Sequence, residues 1–574
     1  MKNIYNIISI ILFLLLTCCN EKDWLNISPY GAITATEFNT VDNVEKLCIA
    51  AYAAVGNDAN NSPVSRWIFN FSVGDAHKGG NTPTDMIDWH NMEVLSSLVP
   101  NNTAVFMEWR YRMTNIFRAN YALSKLINFT AADYPLVVQR TAEMRFLRAF
   151  NYFEMKCMFK FVPWLDETVP QEQYINISNT QFSSDQLWDK IAADFRFCAN
   201  NLPAQQTTDK GRPDKYSALA YLAKTYLFQA YTQDNNNQVT GINASKLTAV
   251  NTLCDSIISF SGHSMYADYA SNFLITGNNG IESLWDVDFS INDGTGVGRL
   301  DFGNTVNWPM DPIFGCCGFH CPTQNFVNAF KTDANGLPCL DTFDLTPLKT
   351  VNDFKINNID PRFSHTIIFP GFPFKYINTI VATNAWARAI ESYGANFSAK
   401  ELESPYCSCF KKFPPFMGTS KNWHLIRFAE ILLWKAEALI ELGRQNEALP
   451  LINQIRQRAA NSTGKLKRDD GTPYCTYKCG VYVDGVNCTW TQAFARKALR
   501  FEYRLETGLE GHRFFDLVRW GIAADYINNY YSTEKLRRSV LKDATFTKSR
   551  NEYYPIPLSE ISYSNGLYVQ NVGY

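Results

Sequence analysis

The sequence predicts a mainly α-helical protein: a tetratricopeptide-like helical-repeat scaffold that carries an irregular, loop-rich lobe and a few short strands. Three observations carry this expectation. Apolar residues recur at three-to-four spacing from about Asn43 to Phe260. From about Ser261 to Trp423 the pattern gives way to glycines, prolines, cysteines and short alternating segments, and after Trp423 the helical period returns. The expected organisation is a leader over 1–18 and one domain over 19–574. Within that domain the scaffold covers about 40–260 and 423–535, the lobe about 261–422, and a tail 536–574.

The helical elements follow from spacing and punctuation. One apolar stripe runs from Trp109 to Leu123 and a second from Ala142 to Phe161. Two more helices are expected at roughly Ser184 to Asn200 and Lys215 to Tyr231, with Pro163, Pro203 and Pro213 in the gaps because proline has no N–H to continue a helix. Together these read as antiparallel helix pairs. In the lobe, Glu282 to Phe289 alternates apolar and polar residues and predicts a strand. Arg427 to Ala459 is the clearest internal unit. Ala436, Leu439, Ala448, Ile452, Ile455 and Ala459 let two antiparallel helices approach closely, and Gly443 after Leu442 ends the first. This matches part of the tetratricopeptide pattern. One such unit cannot bury its apolar face alone, so the earlier helices are its expected partners.

Composition excludes several function classes. Hydrophobic residues at 46% and charged residues at 19% of 574 are ordinary for a globular chain, which argues against disorder and against a multi-span membrane protein. A net charge of −2 gives no basic footprint for nucleic acid. Aromatic residues, at 14%, are abundant enough to supply both a core and flat faces for stacking on sugar rings.

The first residues carry an address. Met1, Lys2 and Asn3 lead into a largely apolar run ending in Leu16-Thr17-Cys18-Cys19, shorter than the roughly 20 apolar residues that span a bilayer. A basic start, a short apolar stretch and a cysteine resemble a bacterial lipoprotein signal. Cys19 is the expected lipidated residue, with Cys18 as the alternative, because the polar Asn20-Glu21-Lys22-Asp23 follows it. An ordinary secretory signal with incidental cysteines is the competing reading. Fifteen cysteines in an exported chain point to disulfides in the irregular loops, among the clusters Cys316, Cys317 and Cys321; Cys407 and Cys409; and Cys475, Cys479 and Cys488. A zinc site from Cys316, Cys317, His320 and Cys321 is the alternative, although zinc normally uses paired knuckles.

A series of segments resembles one family nearly end to end. They are Trp24-Leu25-Asn26-Ile27-Ser28-Pro29, Arg145 to Phe153 followed by Val162-Pro163, Gly211-Arg212-Pro213 with Ala218 to Leu227, Asp360-Pro361-Arg362, Ile426 to Leu433, Glu510 to Gly521, Tyr554 to Pro557, and Gln570 to Tyr574. Their order and number resemble the SusD/RagB outer-membrane lipoproteins of the Bacteroidetes. That resemblance implies a helical scaffold carrying a ligand-binding lobe. It also implies a TonB-dependent β-barrel transporter as partner, a membrane anchor through lipid, and capture of nutrient glycans at the cell surface. Some relatives serve peptide uptake, so a peptide-binding lipoprotein of the same build is the alternative function.

The candidate residues follow from loop chemistry. Glu510, His512, Arg513 and Asp516 are close in sequence. On a helix Arg513, Asp516 and Trp520 share a face, so an internal ion pair capped by Trp520 is expected there rather than catalysis. H-E-x-x-H, G-x-S-x-G and G-x-x-x-x-G-K motifs are missing, and Gly294 to Gly298 is expected to be a flexible loop. No enzyme activity, cofactor or metal is expected. An indole stacks on the apolar face of a pyranose while amides and carboxylates take its hydroxyls. On that logic the expected ligand-binding residues are Asp75, His77 and Asn81 with Trp89, and Trp308 with Phe314. Trp89 and Trp308 lead, whereas Trp109, Trp285, Trp434 and Trp520 are expected in the scaffold.

Overall fold

A computed structural model describes residues 39–56, 66–295 and 298–574. Cys18 and Cys19, the segment 24–29, and Gly296 and Val297 of the glycine-rich loop lie outside the described residues.

Among the described residues twelve helices have seven or more residues: α1 Val41–Gly56, α2 Ile87–Val94, α3 Thr103–Leu126, α4 Val137–Phe159, α5 Ser184–Asn201, α6 Lys215–Ala230, α7 Ala244–Phe260, α8 Phe428–Glu441, α9 Gln445–Asn461, α10 Gln492–Thr507, α11 Arg513–Arg519 and α12 Ala523–Glu534. Local chemistry sets their ends. Ser183 and Gln186 close a capping box on α5, with Gln186 N–H donating to Ser183 Oγ at 3.2 Å and Ser183 N–H to Gln186 Oε1 at 2.9 Å. Asp214 Oδ1 accepts from the N–H groups of Tyr216 and Ser217 at the start of α6. Gly443 turns the chain between α8 and α9 with φ +76°, in the left-handed region that glycine enters without strain.

Helices α3, α4, α5, α6 and α7 pack each on the next, and α1 lies on α3. The chain then leaves for the lobe and returns at α8, which packs on α7, α9 and α10. The scaffold is therefore continuous in space although the lobe interrupts it in sequence. The main core belongs to this stack and includes Phe146, Phe150, Tyr221 and Trp285, whose rings meet edge to face. Trp109, Trp285, Trp434 and Trp520 are all buried, as expected.

The lobe hangs from a two-stranded neck. Strand β2, Ser283–Val287, pairs antiparallel with β6, Trp423–Arg427, so Val287 faces Trp423 and Ser283 faces Arg427. The alternation read in the sequence does form a strand, but all five of its residues are buried. Polar residues are tolerated inside because they are paired: Asp286 Oδ1 lies 2.6 Å from His424 Nδ1. Strands β1, Ala76–Gly79, and β3, Phe319–Pro322, form a second pair, and β4, Phe410–Phe413, and β5, Phe416–Thr419, a hairpin.

Two expectations need correction. Disulfides join Cys316 to Cys317 and Cys407 to Cys409, but Cys321, Cys475, Cys479 and Cys488 are free thiols. Cys479 Sγ packs against Asp360 Oδ2 at 3.5 Å and Cys475 Sγ against Ser364 Oγ at 3.9 Å, each meeting a polar partner rather than another sulfur. In α11, Asp516 pairs with Arg519 at 2.9 Å instead of Arg513, whose guanidinium lies 4.6 Å from the Tyr526 ring centre. Trp520 Nε1 donates to Glu437 at 2.8 Å.

Candidate ligand-binding cleft

Trp89 sits in the first turn of α2, and the geometry of that turn aims it. Met86, just before the helix, has φ +61°, a sharp left-handed step for a non-glycine residue, and the Trp89 N–H donates back to its carbonyl at 3.1 Å. Asn102 caps α3, accepting from Val105 N–H at 3.0 Å, while its amide donates to the Asp88 carbonyl at 2.9 Å. One side chain thus starts α3 and ties it to α2.

The helical period of α3 then supplies a wall. Thr103, Ala104, Met107, Glu108 and Tyr111 fall on one face and, with Asp88 and Trp89, line a cleft of about 530 Å³. Phe302, Gly303, Thr305 and Val306 of the lobe form the opposite wall, and Trp67 Nε1 holds that wall by donating to the Gly303 carbonyl at 2.9 Å. The indoles of Trp67 and Trp89 meet edge to face at 4.9 Å, and Trp89 meets Phe319 the same way at 5.4 Å. Trp67 is buried and Trp89 half-buried, while Met86 and Ile87 at the rim are 48% and 45% exposed. The volume falls within the usual range for small-ligand sites.

Charge is sparing in this cleft. Burial pushes the Glu108 carboxyl above the usual carboxylate range, although Arg112, donating to Glu108 at 3.2 Å, pulls the other way. Below it Arg112 also faces Glu154 at 3.7 Å. A fixed aromatic floor with Asp88, Glu108 and the hydroxyls of Thr84, Thr103 and Thr305 around it can hold an uncharged ring that carries many hydroxyl groups.

The pairing of β1 with β3 explains where the other expected residues lie. It sets His77 opposite Cys321 and Gly79 opposite Phe319, joining the two groups read separately in the sequence. They meet in the interior, however. Asp75 and His77 are 0% and 1% exposed: Asp75 accepts from Arg504 Nε at 2.9 Å, and His77 lies between Glu93 at 2.9 Å and Glu534 at 3.3 Å. Trp308, 2% exposed, stacks on Phe314 in a small aromatic core of the lobe with Phe410. The expectation of surface stacking is therefore corrected for Trp308 and Phe314, and that of ligand contact for Asp75 and His77, because each is occupied inside the protein. Asn81 is exposed but lines a turn rather than the cleft, its N–H donating to Asp85 at 2.9 Å. His320 Nδ1 lies 2.6 Å from Glu401 and its Nε2 3.0 Å from Asn70, so its ring is engaged away from the neighbouring cysteines.

Trp67, Glu108, Tyr111 and Phe302 also line the cleft and were not among the expected residues. Glu108 and Tyr111 carried a weak signal, since aromatic and acidic residues on a helix face read as packing until the facing wall is known.

Fold and cleft together define a helical-repeat protein with a cleft between α2, α3 and the lobe. The chain belongs to the SusD family, which residues 282–574 match, and residues 23–227 match a family described as starch-binding associating with outer membrane. SusD-like protein P25 of Formosa agariphila is 23% identical over 97% of this chain and 96% of its own length. Among solved structures, a laminarin-binding SusD-like protein superposes with a TM-score of 0.66 at 21% identity, covering 93% of this chain and 100% of its own. Surface glycan-binding protein A from Bacteroides thetaiotaomicron, in complex with laminarihexaose, superposes with a TM-score of 0.66 at 20% identity, covering 93% and 99%.

Proposed function

We propose that this protein is a non-catalytic cell-surface lipoprotein that captures a nutrient glycan in the Trp67–Trp89 cleft and delivers it to a TonB-dependent outer-membrane transporter. The observation that carries the reading is the half-buried Trp89 indole, held in a cleft of about 530 Å³ among hydroxyl and carboxyl groups. A sugar ring offers an apolar face for the indole and hydroxyls for Asp88, Glu108 and the threonines. Because water already satisfies both partners, each hydrogen bond adds only about 1 kcal/mol net, so affinity is expected to be modest.

Delivery and anchoring rest on the leader and on family membership. Acylation at Cys19 would tether the chain to the outer membrane facing outward. Among the described residues no helix is long and apolar enough to cross a membrane. Screening the purified protein against polysaccharides and peptides tests the reading. Retention of a neutral glycan, lost in Trp89→Ala and without release of reducing ends, supports it; retention of peptides alone overturns it.

A further inference from the structure

A second cavity, of about 480 Å³, shares no lining residue with the cleft. It lies where the end of α4, the start of α5, the end of α6 and the end of α11 come together. Lys156 and Lys160 line it and are 2% and 4% exposed. Lys156 Nζ donates to the Lys160 carbonyl at 2.7 Å and to Ser184 Oγ at 2.6 Å. Lys160 Nζ donates to the Asp234 carbonyl at 2.8 Å and to Asn237 Oδ1 at 2.7 Å.

All four acceptors are uncharged. An ammonium has three donors, so each lysine keeps one unspent. The carboxylates in the wall are turned to other donors: Asp185 accepts from Gln229 Nε2 at 2.7 Å, and Asp234 from the N–H groups of Asn236 and Gln238 at 2.9 and 2.8 Å. Two further buried atoms of the wall, Arg519 Nε and Gln229 Oε1, have no hydrogen-bond partner. Trp188 lies 5.1 Å from the Lys156 ammonium. Burial, and for Lys156 also the repulsion of Lys160, lowers these two groups to about 7 and about 8, more than Asp185 near Lys156 and Asp234 and Glu552 near Lys160 offset.

We infer that this cavity is a second ligand site, for a small molecule bearing an oxyanion, with its sulfate or carboxylate group between Lys156 and Lys160 and its body against Trp188. Such a group supplies the acceptors that the unspent ammonium donors and Arg519 Nε lack, and the positive end of the α5 dipole favours it.

The test is calorimetric titration of the full protein at constant ionic strength with sodium sulfate, sodium glucuronate and, as a neutral control, glucose. Saturable heat with sulfate and glucuronate alike assigns an oxyanion pocket, and heat with glucuronate alone assigns an acidic sugar. Lys156→Met and Lys160→Met are expected to weaken binding at least tenfold, Lys156→Arg to keep it, and Trp89→Ala to leave it unchanged, which separates this site from the glycan cleft. Absence of saturable heat with both anions in the wild-type protein, or equal binding by a folded Lys156→Met/Lys160→Met double variant, overturns the inference.

Discussion

Arg427 donates through Nη1 to Glu506 Oε1 at 2.9 Å, in the interior where the lobe joins the scaffold. The same guanidinium reaches Glu282 at 3.1 Å and Glu510 at 2.8 Å, and Glu506 also receives Arg458 and Arg362. With Asp360, Lys400, Arg456 and Glu502 this forms one buried network in which five cations face five carboxylates. Segments around residues 282, 360, 427 and 510, far apart in sequence, meet in it. Removing one member leaves the others buried and uncompensated, at a cost of about 3–5 kcal/mol. Arg427→Met is therefore expected to lower the unfolding free energy by about that amount in urea denaturation. A loss under about 1 kcal/mol would show that the network does not hold the lobe to the scaffold.

Glycine at 511 is required by geometry. Its φ is +78°, and a Cβ placed there would overlap the Cβ and carbonyl oxygen of Arg66, whose side chain donates to the Gly511 carbonyl at 3.2 Å. Gly511→Ala combines backbone strain with a backbone clash and is expected to cost about 1–3 kcal/mol, read as a lowered melting temperature. Gly443→Ala meets open space and carries only the strain of its positive φ, so it is expected to cost less.

The buried His77 makes stability depend on pH. Burial alone would lower its value, but the Glu534 and Glu93 carboxylates on either side of the ring outweigh it and hold His77 above 6.5. A raised histidine contributes fully below 6.5, and that contribution is lost as pH rises through its folded value. Glu93, whose burial is outweighed chiefly by hydrogen bonds from His77 and His90, is held down to about 2, so its contribution is present above 4.5 and lost on acidification. The contributions of His77 and Glu93 together are thus expected to be greatest between about 4.5 and 6.5, and that of His77 to decline above, measured as the difference in urea midpoint between the wild-type protein and His77→Gln across pH. His77→Gln should lose about 3 kcal/mol at pH 6 and progressively less as pH rises through the folded value of His77. A loss that does not shrink on the alkaline side would refute the assignment.

The two tryptophans singled out in the sequence now make opposite predictions. Trp308→Ala opens a cavity in the aromatic core of the lobe and is expected to cost about 3–5 kcal/mol of stability. Trp89→Ala removes a half-buried ring and is expected to cost much less, as thermal melts of both variants would show.

Much of the scaffold was legible because amphipathic helices repeat every 3.6 residues: α5 and α6 begin at the expected Ser184 and Lys215, and Gly443 does end α8. The cleft was legible only in part. Trp89, read from its polar sequence context, is half-buried on the cleft, but Trp308 stands in a similar context and is buried against Phe314 and Phe410. Asp75 and His77 misled for the same reason. Their partners Arg504 and Glu534 lie more than four hundred residues away, and no local pattern announces a charge pair of that span. Phe302 and Glu108 become wall residues only when the lobe folds against α3.

We propose that Trp89 is the stacking surface for a glycan, and titration of a retained neutral glycan into wild-type protein and a folded Trp89→Ala variant decides it. The prediction is at least a tenfold loss of affinity, about 1.4 kcal/mol or more, with Trp308→Phe, which keeps the lobe core filled, binding as wild type. Equal affinity in the wild-type protein and Trp89→Ala would contradict it.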